Sequence, residues 1–411
     1  MNPVASRAAP SAAPSGLRIA LAYDARYPDQ VGGAERRYHE IGMRLSERHQ
    51  VDYITWAPRK QHEEEGGYRI RSLGPAPELY GADGKRTVRE AMRFAVRLLP
   101  VLARGGYDVV DCSATPYVPL YASWLATRVS RTPLVVTWHE FWGDHWLSYL
   151  AHRPLVARAA RQLERAGPLM GDVIVPVSHF TARRMGIADE EHERVRIVGN
   201  GVDIEAVERA RPRSKADVIF VGRLIDDKRV DLLLEAMAIL RREFPRIRCL
   251  VIGDGPERER LEEQRARLRL KGAVRFLGGL DEEAVFGHLK AASVMVLPSI
   301  REGFGIAVLE AQVAGAVPVV ARSPWSAASE LVEDGVDGLL SEPSADGLAT
   351  AVASLLRDPE RRALMADNAR RRARSWDWAH IAELMEGVYQ EALAARSVRR
   401  EARTSRSPSW R

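Results

Sequence analysis

The sequence predicts an α/β protein built from two doubly wound domains. Two observations predict it: short apolar runs alternate with longer helical patterns in both halves, and a polar stretch without periodicity separates the halves. Such alternation is typical of parallel βαβ layers, whose strands are buried on both faces. The chain has 411 residues, 46% of them hydrophobic and 28% charged, which indicates a globular protein larger than one ordinary core.

Apolar runs bounded by polar or turn residues predict the strands of each domain. The first domain, residues 17–203, has predicted strands at Leu17–Tyr23, Val51–Trp56, Val109–Cys112, Leu134–Thr137 and Val173–Val177. The second domain, residues 216–375, has predicted strands at Val218–Val221, Cys249–Ile252, Val274–Leu277, Val294–Leu297 and Val317–Val320.

The remaining segments are predicted to connect or extend these domains. Residues 204–215 are predicted to be a linker, and a cleft is expected between the domains. Residues 376–395 show helical spacing of apolar side chains and are predicted to pack back across both domains, anchored by Trp376 and Trp378. Residues 1–16 and 396–411 are predicted to be disordered extensions.

Composition excludes several classes of protein. The net charge is +6, but the arginines are scattered over helices that also carry glutamates, so nucleic-acid binding is not expected. No run of about 18 apolar residues occurs and residues 1–16 lack a signal sequence, so a cytoplasmic protein is expected. Cys112 and Cys249 lie in separate apolar runs, which favours buried reduced thiols over a disulfide or metal site.

Two carboxylates flank a glycine-rich turn in the second domain. Glu302 opens the segment Glu302–Gly305, a helix is predicted to follow, and Glu310 lies on that helix. A helix N-terminus offers unpaired amide donors and a partial positive charge, which suits a phosphate, while carboxylates accept hydrogen bonds from hydroxyls. An isolated match of this kind would favour an ordinary strand-to-helix turn with solvated glutamates.

Two cations follow the first strand of the second domain. Arg223 comes directly after Gly222, and Lys228 precedes an amphipathic helical run. Two cations therefore lie at the carboxyl end of a strand. The alternative is a pair of surface cations bonded to Asp226 and Asp227.

Further segments of the second domain extend this pattern in a fixed order and spacing. They are Gly222–Arg223, Lys228, Ile252–Pro256, Phe276–Gly278, Glu302–Gly305, Glu310, Gly315–Ala321 and Glu330–Leu340. Together they resemble the retaining glycosyltransferases of family 4. The resemblance implies the GT-B architecture, in which two Rossmann-like domains face each other across a cleft and a C-terminal helix crosses back.

The resemblance also implies the activity and the roles of these residues. The chain would be a hexosyltransferase that moves a sugar from a nucleoside diphosphate sugar to a carbohydrate, lipid or small-molecule acceptor. Arg223 and Lys228 would hold the diphosphate, Glu302 the sugar hydroxyls and Glu310 the ribose hydroxyls. Backbone groups are expected to complete the donor site at Gly253, Gly255, Leu280, Gly303, Phe304, Gly305, Ile306 and Ala307.

The first domain resembles the family at fewer positions. Gly32 and Gly33 precede a helical pattern whose first amides could face the diphosphate; an ordinary flexible loop is the alternative. His139 stands where the family often has a histidine near the reacting carbon, and a buried, hydrogen-bonded histidine is the alternative. The segment Asn200–Asp203 also matches.

Metal independence is a prediction, because no Asp-x-Asp motif stands out and cations can neutralise the diphosphate. No cofactor is expected, and retention of configuration is implied by the resemblance alone. Two departures from the family pattern are Arg229, where many members have glycine, and Ser323–Ala328, which replaces a frequent glycine-rich turn.

Two groups of residues have competing interpretations. Trp138, Phe141, Trp142 and Trp146 could stack on a sugar or touch a lipid, but core packing is favoured. The second group comprises Arg86, Arg89, Arg93, Arg97, Val88, Met92, Val96 and Leu99. It indicates either a helix that lies on a membrane surface or, with more support, a helix that covers a sheet. The six arginines of residues 396–411 likewise indicate either peripheral contact with anionic lipid or a solvated extension.

Other functions remain compatible with the sequence. A nucleotide-sugar epimerase or a phosphorylase could use the same architecture, although a phosphorylase would need a lysine that carries pyridoxal phosphate. A catalytically silent sugar-nucleotide sensor would keep the phosphate ligands without acceptor chemistry.

Overall fold

A computed structural model describes residues 16–30, 32–57, 64–65, 67–79, 87–187 and 193–404. It shows two α/β domains, each built on a largely parallel sheet with its own buried core. The predicted N-terminal extension, except Gly16, lies outside the described residues.

The first domain contains the strands β1 to β7. They are β1 (Arg18–Ala22), β2 (Gln50–Thr55), β3 (Glu64–Glu65), β4 (Tyr68–Ser72), β5 (Val109–Ser113), β6 (Leu134–Trp138) and β7 (Val173–Pro176). Among the described residues the strand order is β3-β4-β2-β1-β5-β6-β7, and only the short β3 is antiparallel to its neighbour. The sequence analysis missed β3 and β4, because β4 reads Tyr-Arg-Ile-Arg-Ser and lacks a continuous apolar run.

Helices α1 to α6 cover this sheet. They are α1 (Gly33–Ser46), α2 (Val88–Arg104), α3 (Tyr117–Ser130), α4 (His145–Tyr149), α5 (Pro154–Ala166) and α6 (His179–Arg184). The side chain of Asp111 on β5 is buried and accepts hydrogen bonds from Tyr38 Oη at 3.0 Å, Thr137 Oγ1 at 2.9 Å and Tyr389 Oη at 2.7 Å. Burial raises the pKa of this carboxyl. Asp111 therefore fixes α1 and the C-terminal helix on the sheet.

The second domain contains the strands β8 to β13. They are β8 (Ala216–Val221), β9 (Cys249–Ile252), β10 (Val274–Gly278), β11 (Ala292–Leu297), β12 (Val317–Ala321) and β13 (Leu339–Ser341). The strands are parallel in the order β10-β9-β8-β11-β12-β13. This order reverses beside β8, which places the turns after β8 and β11 at the topological switch point where such sheets bind ligands.

Helices α7 to α13 follow the linker and flank this second sheet. They are α7 (Ile204–Arg209), α8 (Val230–Glu243), α9 (Arg258–Arg267), α10 (Glu282–Lys290), α11 (Ile306–Ala314), α12 (Ala345–Arg357) and α13 (Pro359–Ala373). The predicted linker is therefore helical in its first half. Asp203 caps α7, because its side chain accepts a hydrogen bond from Ala206 N at 2.8 Å.

The C-terminal helix α14 (Trp378–Thr404) packs on the first domain. Trp378, Ile381, Met385 and Tyr389 are buried in the core of that domain, although they follow the second domain in sequence. The helix extends beyond the predicted end at residue 395, so the tail is helical as far as Thr404; residues 405–411 lie outside the described part of the chain.

Helix α2 covers the sheet as expected, and of the apolar residues singled out in the sequence only Leu99 packs against the core. Phe94, Leu98 and Leu102 are buried in the first core, whereas Val88, Met92 and Val96 are 59%, 54% and 73% exposed. Arg86 lies outside the described residues. Across the described part of the chain, no helix has both the length and the apolar character needed to cross a bilayer.

Both cysteines are buried and free. Burial raises the pKa of the Cys112 thiol to about 12 and raises that of Cys249 as well. The predicted burial of both thiols is confirmed.

Candidate active site

The turn between β11 and α11 approaches the first domain so closely that it needs glycine. A Cβ atom on Gly303 would lie 2.1 Å from the carbonyl oxygen of His139, and Gly305 has φ 106°. Helix α11 begins at Ile306, so its first amides point out of this turn. Phe304 is buried against Trp376 with ring centroids 5.3 Å apart, so its side chain is part of the core and only its backbone remains for a ligand.

The N-termini of two helices meet across the domain boundary. Gly33 is the first residue of α1 and Ile306 is the first residue of α11; a Cβ on Gly33 would lie 3.3 Å from Ile306 Cδ1. Gly32 precedes this contact as the N-cap of α1. The partial positive charges of the two helices therefore converge on one place in the cleft, which suits a diphosphate.

Lys228 and Glu302 form an ion pair, with Nζ 2.5 Å from Oε1. Asp227 instead pairs with Arg301, so the alternative in which Lys228 is neutralised by Asp226 or Asp227 is not what the structure shows. Arg223 is exposed after β8, and its side chain has no hydrogen bond or ion pair to another described residue. One cation is thus held by the predicted sugar-binding carboxylate and the other is available to a ligand.

Arg229 follows Lys228 and adopts a left-handed conformation, with φ 48°. This is the backbone geometry that glycine favours, which agrees with the glycine expected there from the family. The guanidinium donates from Nε and Nη2 to Asp231 at 3.0 Å each. The salt bridge holds the side chain against helix α8 and away from Lys228.

The turns after β8 and β9 touch through glycines. A Cβ on Gly253, which has φ 129°, would lie 1.9 Å from the Gly222 carbonyl oxygen, and one on Gly255 would lie 2.4 Å from that of Leu224. These predicted donor residues therefore hold Arg223 in position through backbone packing. Leu280 follows β10, and its side chain is 37% exposed.

Glu310 is buried on α11 and pairs with a residue that the sequence analysis missed. Arg36 of α1 places Nη1 2.6 Å from Glu310 Oε1 and Nη2 2.9 Å from Glu282 Oε1. Burial raises the pKa of both carboxyls, while Arg36 opposes that shift. The sequence signal for Arg36 is its place at the end of the segment Gly32–Arg36, through which the first domain resembles the family, but Arg36 was not a candidate site residue.

His139 lies at the end of β6 beside the rings of Tyr23 and Tyr38, with centroids 6.3 and 6.1 Å away. Neither ring nitrogen finds a hydrogen-bond partner among the described residues, although both are buried. This is not the hydrogen-bonded core histidine considered as the alternative. Burial, with a smaller effect of Arg37, lowers the pKa of His139 to about 3, so the imidazole is neutral at pH 7.

Among the aromatic residues before and within α4, some are buried in the core and others line the cleft. Trp138 is fully buried, which agrees with core packing. Trp142 stacks on Trp146 at 4.6 Å and lines a cavity between the domains together with Arg301 and Trp325. Arg301 and Trp325 were not candidate site residues, since their position at the cleft depends on contacts with the other domain.

No group of three or more His, Cys, Asp or Glu side chains in the described residues is arranged to hold a metal ion. Metal independence remains a prediction.

Two family models together match most of the chain. The model described as glycosyl transferases group 1 covers residues 203–372, and that described as glycosyltransferase family 4 covers residues 31–206. A phosphatidyl-myo-inositol mannosyltransferase of Mycolicibacterium smegmatis is 32% identical over 384 residues, which is 89% of this chain and 92% of that protein. The chain belongs to glycosyltransferase family 4.

Two further comparisons relate this family 4 member to another relative and to a crystal structure. A D-inositol 3-phosphate glycosyltransferase of Kineococcus radiotolerans is 32% identical over 277 residues, 58% of this chain, and the chain spans only 63% of the length of that relative. The crystal structure of Anabaena HepE in complex with UDP and glucose superimposes with a TM-score of 0.71 at 21% identity, covering 91% of this chain and 99% of that one. The predicted GT-B fold is confirmed.

Proposed function

We propose that this chain transfers a hexose-type sugar from a nucleoside diphosphate sugar to a hydroxyl acceptor, which is a carbohydrate, a lipid or a small molecule. The observation that carries the proposal is the close approach of the first residues of α1 and α11, Gly33 and Ile306. Ile306 follows Glu302, the partner of Lys228, by four positions. The convergence of helix N-termini and cations supports capture of a diphosphate. The relatives support the donor class, since the HepE crystal structure holds UDP and glucose.

In the proposed reaction the bond between the anomeric carbon and the phosphate oxygen breaks while the acceptor oxygen bonds to the same face of the sugar. The acceptor proton passes to the departing phosphate oxygen. Arg223, Lys228 and the amides at the start of α11 stabilise the charge that develops on that oxygen. Glu302 accepts hydrogen bonds from sugar hydroxyls, and Glu310 accepts them from the ribose once Arg36 has moved away.

His139 is assigned to the face of the donor sugar near the reacting carbon. Its imidazole is neutral at pH 7 because burial lowers its pKa to about 3, and both ring nitrogens lack a partner among the described residues. A neutral imidazole can accept from one sugar hydroxyl and donate to another. In this proposal it positions the sugar and does not carry the acceptor proton.

The proposed reaction requires neither a metal ion nor a cofactor. The guanidinium, ammonium and amide donors supply the positive charge that a divalent ion supplies elsewhere. Turnover that disappears with a chelator and returns with magnesium would contradict this part of the proposal. Proton NMR of the first product from an α-linked donor is expected to show an α linkage.

The donor is identified by a thermal-shift panel of UDP, GDP, ADP and their sugars. A bound donor raises the unfolding temperature by mass action, so one nucleotide series is expected to stabilise the chain. Donor hydrolysis is then measured with wild type and Glu302→Gln. A transferase is expected to hydrolyse the donor and to do so more slowly as Glu302→Gln, whereas a silent sensor binds the donor without turnover in either protein. Absence of stabilisation by every nucleotide would overturn the proposal.

We also propose that α2 contacts anionic lipid at the inner face of the cytoplasmic membrane. Val88, Met92 and Val96 form an exposed apolar row, and Arg89 and Arg93 lie beside it on the same helix. Apolar side chains flanked by arginines are typical of helices that lie in the headgroup region. Phosphatidylglycerol vesicles test this contact.

A further inference from the structure

A cavity between the two domains opens beside Glu302 and Gly303 and has a volume of about 140 Å³. Among the described residues that line it, neither Gly33, Ile306 nor Glu310 is present. Among the described residues, the cavity therefore shares only Glu302 and Gly303 with the assigned donor site.

We propose that this cavity binds a neutral pyranose ring of the acceptor, stacked on the indole of Trp325. The proposal rests on the proposed function, because an acceptor has to meet the donor sugar that Glu302 and Gly303 are assigned to hold. It names a substrate class and a platform residue that the family resemblance does not supply, since Trp325 lies in the segment Ser323–Ala328 that departs from the family pattern.

Trp325 is an exposed aromatic surface that is held in place. It is 45% exposed, lines the cavity, and has the Arg184 guanidinium carbon 4.5 Å from its ring centroid. Arg184 is itself fixed, because it donates to the carbonyl oxygens of Phe141 and Trp142 at 2.8 Å each. The indole is therefore rigid before any ligand binds, which reduces the entropy cost of binding.

Trp142 forms the opposite wall. It stacks on Trp146 at 4.6 Å, and the Arg301 guanidinium carbon lies 4.0 Å from its ring centroid. These contacts occupy the ring surface of Trp142. Trp325 is therefore the indole assigned to the sugar, and Trp142 limits the width of the cavity.

A buried donor in the wall lacks a partner that a sugar hydroxyl would supply. Arg301 Nη1 makes no hydrogen bond to any described residue. The nearest carboxylate oxygen, Glu140 Oε2, is 3.7 Å away and already accepts from Trp142 Nε1 at 2.6 Å. Because an unsatisfied buried donor is costly, a sugar hydroxyl that bridges Arg301 Nη1 and Glu140 Oε2 from the cavity side would stabilise the complex.

The charges around the cavity favour a neutral ligand over a phosphate. Both guanidiniums are engaged: Arg184 by backbone carbonyls and Arg301 by Asp227, at 3.1 Å from Nε and 2.5 Å from Nη2. Carboxylates of Glu140, Asp227 and Glu302 also line the space. A phosphate would lie close to these three carboxylates, whereas a neutral sugar avoids that repulsion.

The test measures binding of methyl α-glucopyranoside and methyl α-mannopyranoside to the full chain by saturation-transfer difference NMR. Trp325→Ala is expected to weaken the tighter of the two by about tenfold through loss of the stacking surface. Trp325→Phe, which keeps an aromatic face, and Leu364→Ala, which removes an exposed apolar side chain of α13, are expected to bind like wild type.

Equal affinity of wild type and Trp325→Ala would overturn the proposal, as would tighter binding of glucose 6-phosphate that displaces the methyl glycoside. The nucleotide panel is read on the same samples. Nucleotide binding without glycoside binding overturns the acceptor assignment alone, whereas absence of nucleotide binding overturns the proposed function.

Discussion

Arg36 of the first domain and Glu310 of the second form a buried ion pair across the cleft, with Nη1 2.6 Å from Oε1. Their side chains are only 11% and 9% exposed. Glu310 is the carboxylate assigned to the ribose, so one carboxyl group holds the domains together and is also assigned to the proposed donor. Its Oε1 atom already accepts from Arg36, so a ribose hydroxyl that needs this atom has to compete with Arg36.

We expect Arg36→Gln to loosen the domain interface and lower the free energy of unfolding by about 3–5 kcal/mol, because it leaves Glu310 buried without its partner. Urea unfolding gives the free energy, and small-angle scattering gives the radius of gyration, which is expected to rise. Arg93→Gln is the control, since Arg93 pairs with Glu90 on its own helix α2. An unchanged radius together with unchanged stability would refute the role of this pair.

Gly303→Ala is expected to separate the domains through a steric clash and not through the loss of an ion pair. The new methyl group would lie 2.1 Å from the His139 carbonyl oxygen and 2.5 Å from Glu140 Cγ, so one element has to move. Overpacking of this kind costs about 1–3 kcal/mol, and donor turnover is expected to fall with it. Gly272→Ala is the matched control, because its methyl group would meet nothing within 4 Å. Equal stability and turnover in the two variants would contradict the close approach.

Most of the strands were predictable from sequence because buried parallel strands read as continuous apolar runs. The ten predicted strands coincide with β1, β2 and β5 to β12 within one or two residues at each end. The missed strand β4 alternates tyrosine and isoleucine with arginine, and β13 has only three residues. Helix α7 was missed because it lies between a turn and a polar stretch and has one buried residue, Val207.

The candidate site was predictable where one segment carries several of its parts. Glu302, Gly303, Gly305 and Glu310 lie within nine residues and are held by one turn and one helix. Arg36 and Glu310, by contrast, are 274 positions apart. Neither periodicity nor local chemistry connects such residues, and the same is true of Trp325 with Arg184. Only the docking of the domains brings them together.

Lys228→Ala is expected to reduce turnover of the donor by about 10²–10³-fold, because it removes a fixed charge from the departing phosphate. Lys228→Arg keeps the charge and is expected to retain more activity than Lys228→Ala. Initial rates with the donor identified in the thermal-shift panel give the comparison, and Lys271→Ala, an exposed lysine in the same domain, serves as control. Turnover of Lys228→Ala at the wild-type rate would show that Lys228 does not stabilise the departing phosphate.

Replacing Val88, Met92 and Val96 together by serine is expected to abolish binding to vesicles that contain phosphatidylglycerol while leaving the fold intact, because all three side chains are exposed. Co-sedimentation with and without the anionic lipid measures the effect. Leu364→Ser removes an exposed apolar residue of the second domain and is expected to bind vesicles like wild type. Equal sedimentation of all the variants would exclude α2 as the contact.

Because His139 is buried, we expect the free energy of unfolding to fall in mild acid. Burial lowers its pKa from 6.5 to about 3, so between these pH values the unfolded chain binds a proton that the folded chain does not. The contribution of His139 is therefore complete above pH 6.5 and falls as the pH decreases towards 3. Between pH 7.5 and pH 5 we expect wild type to lose roughly 2 kcal/mol more unfolding free energy than His139→Gln, as measured by urea unfolding. His152→Gln, at an exposed histidine, is expected to behave like wild type, and identical losses in all three proteins would show that His139 is not buried in its neutral form.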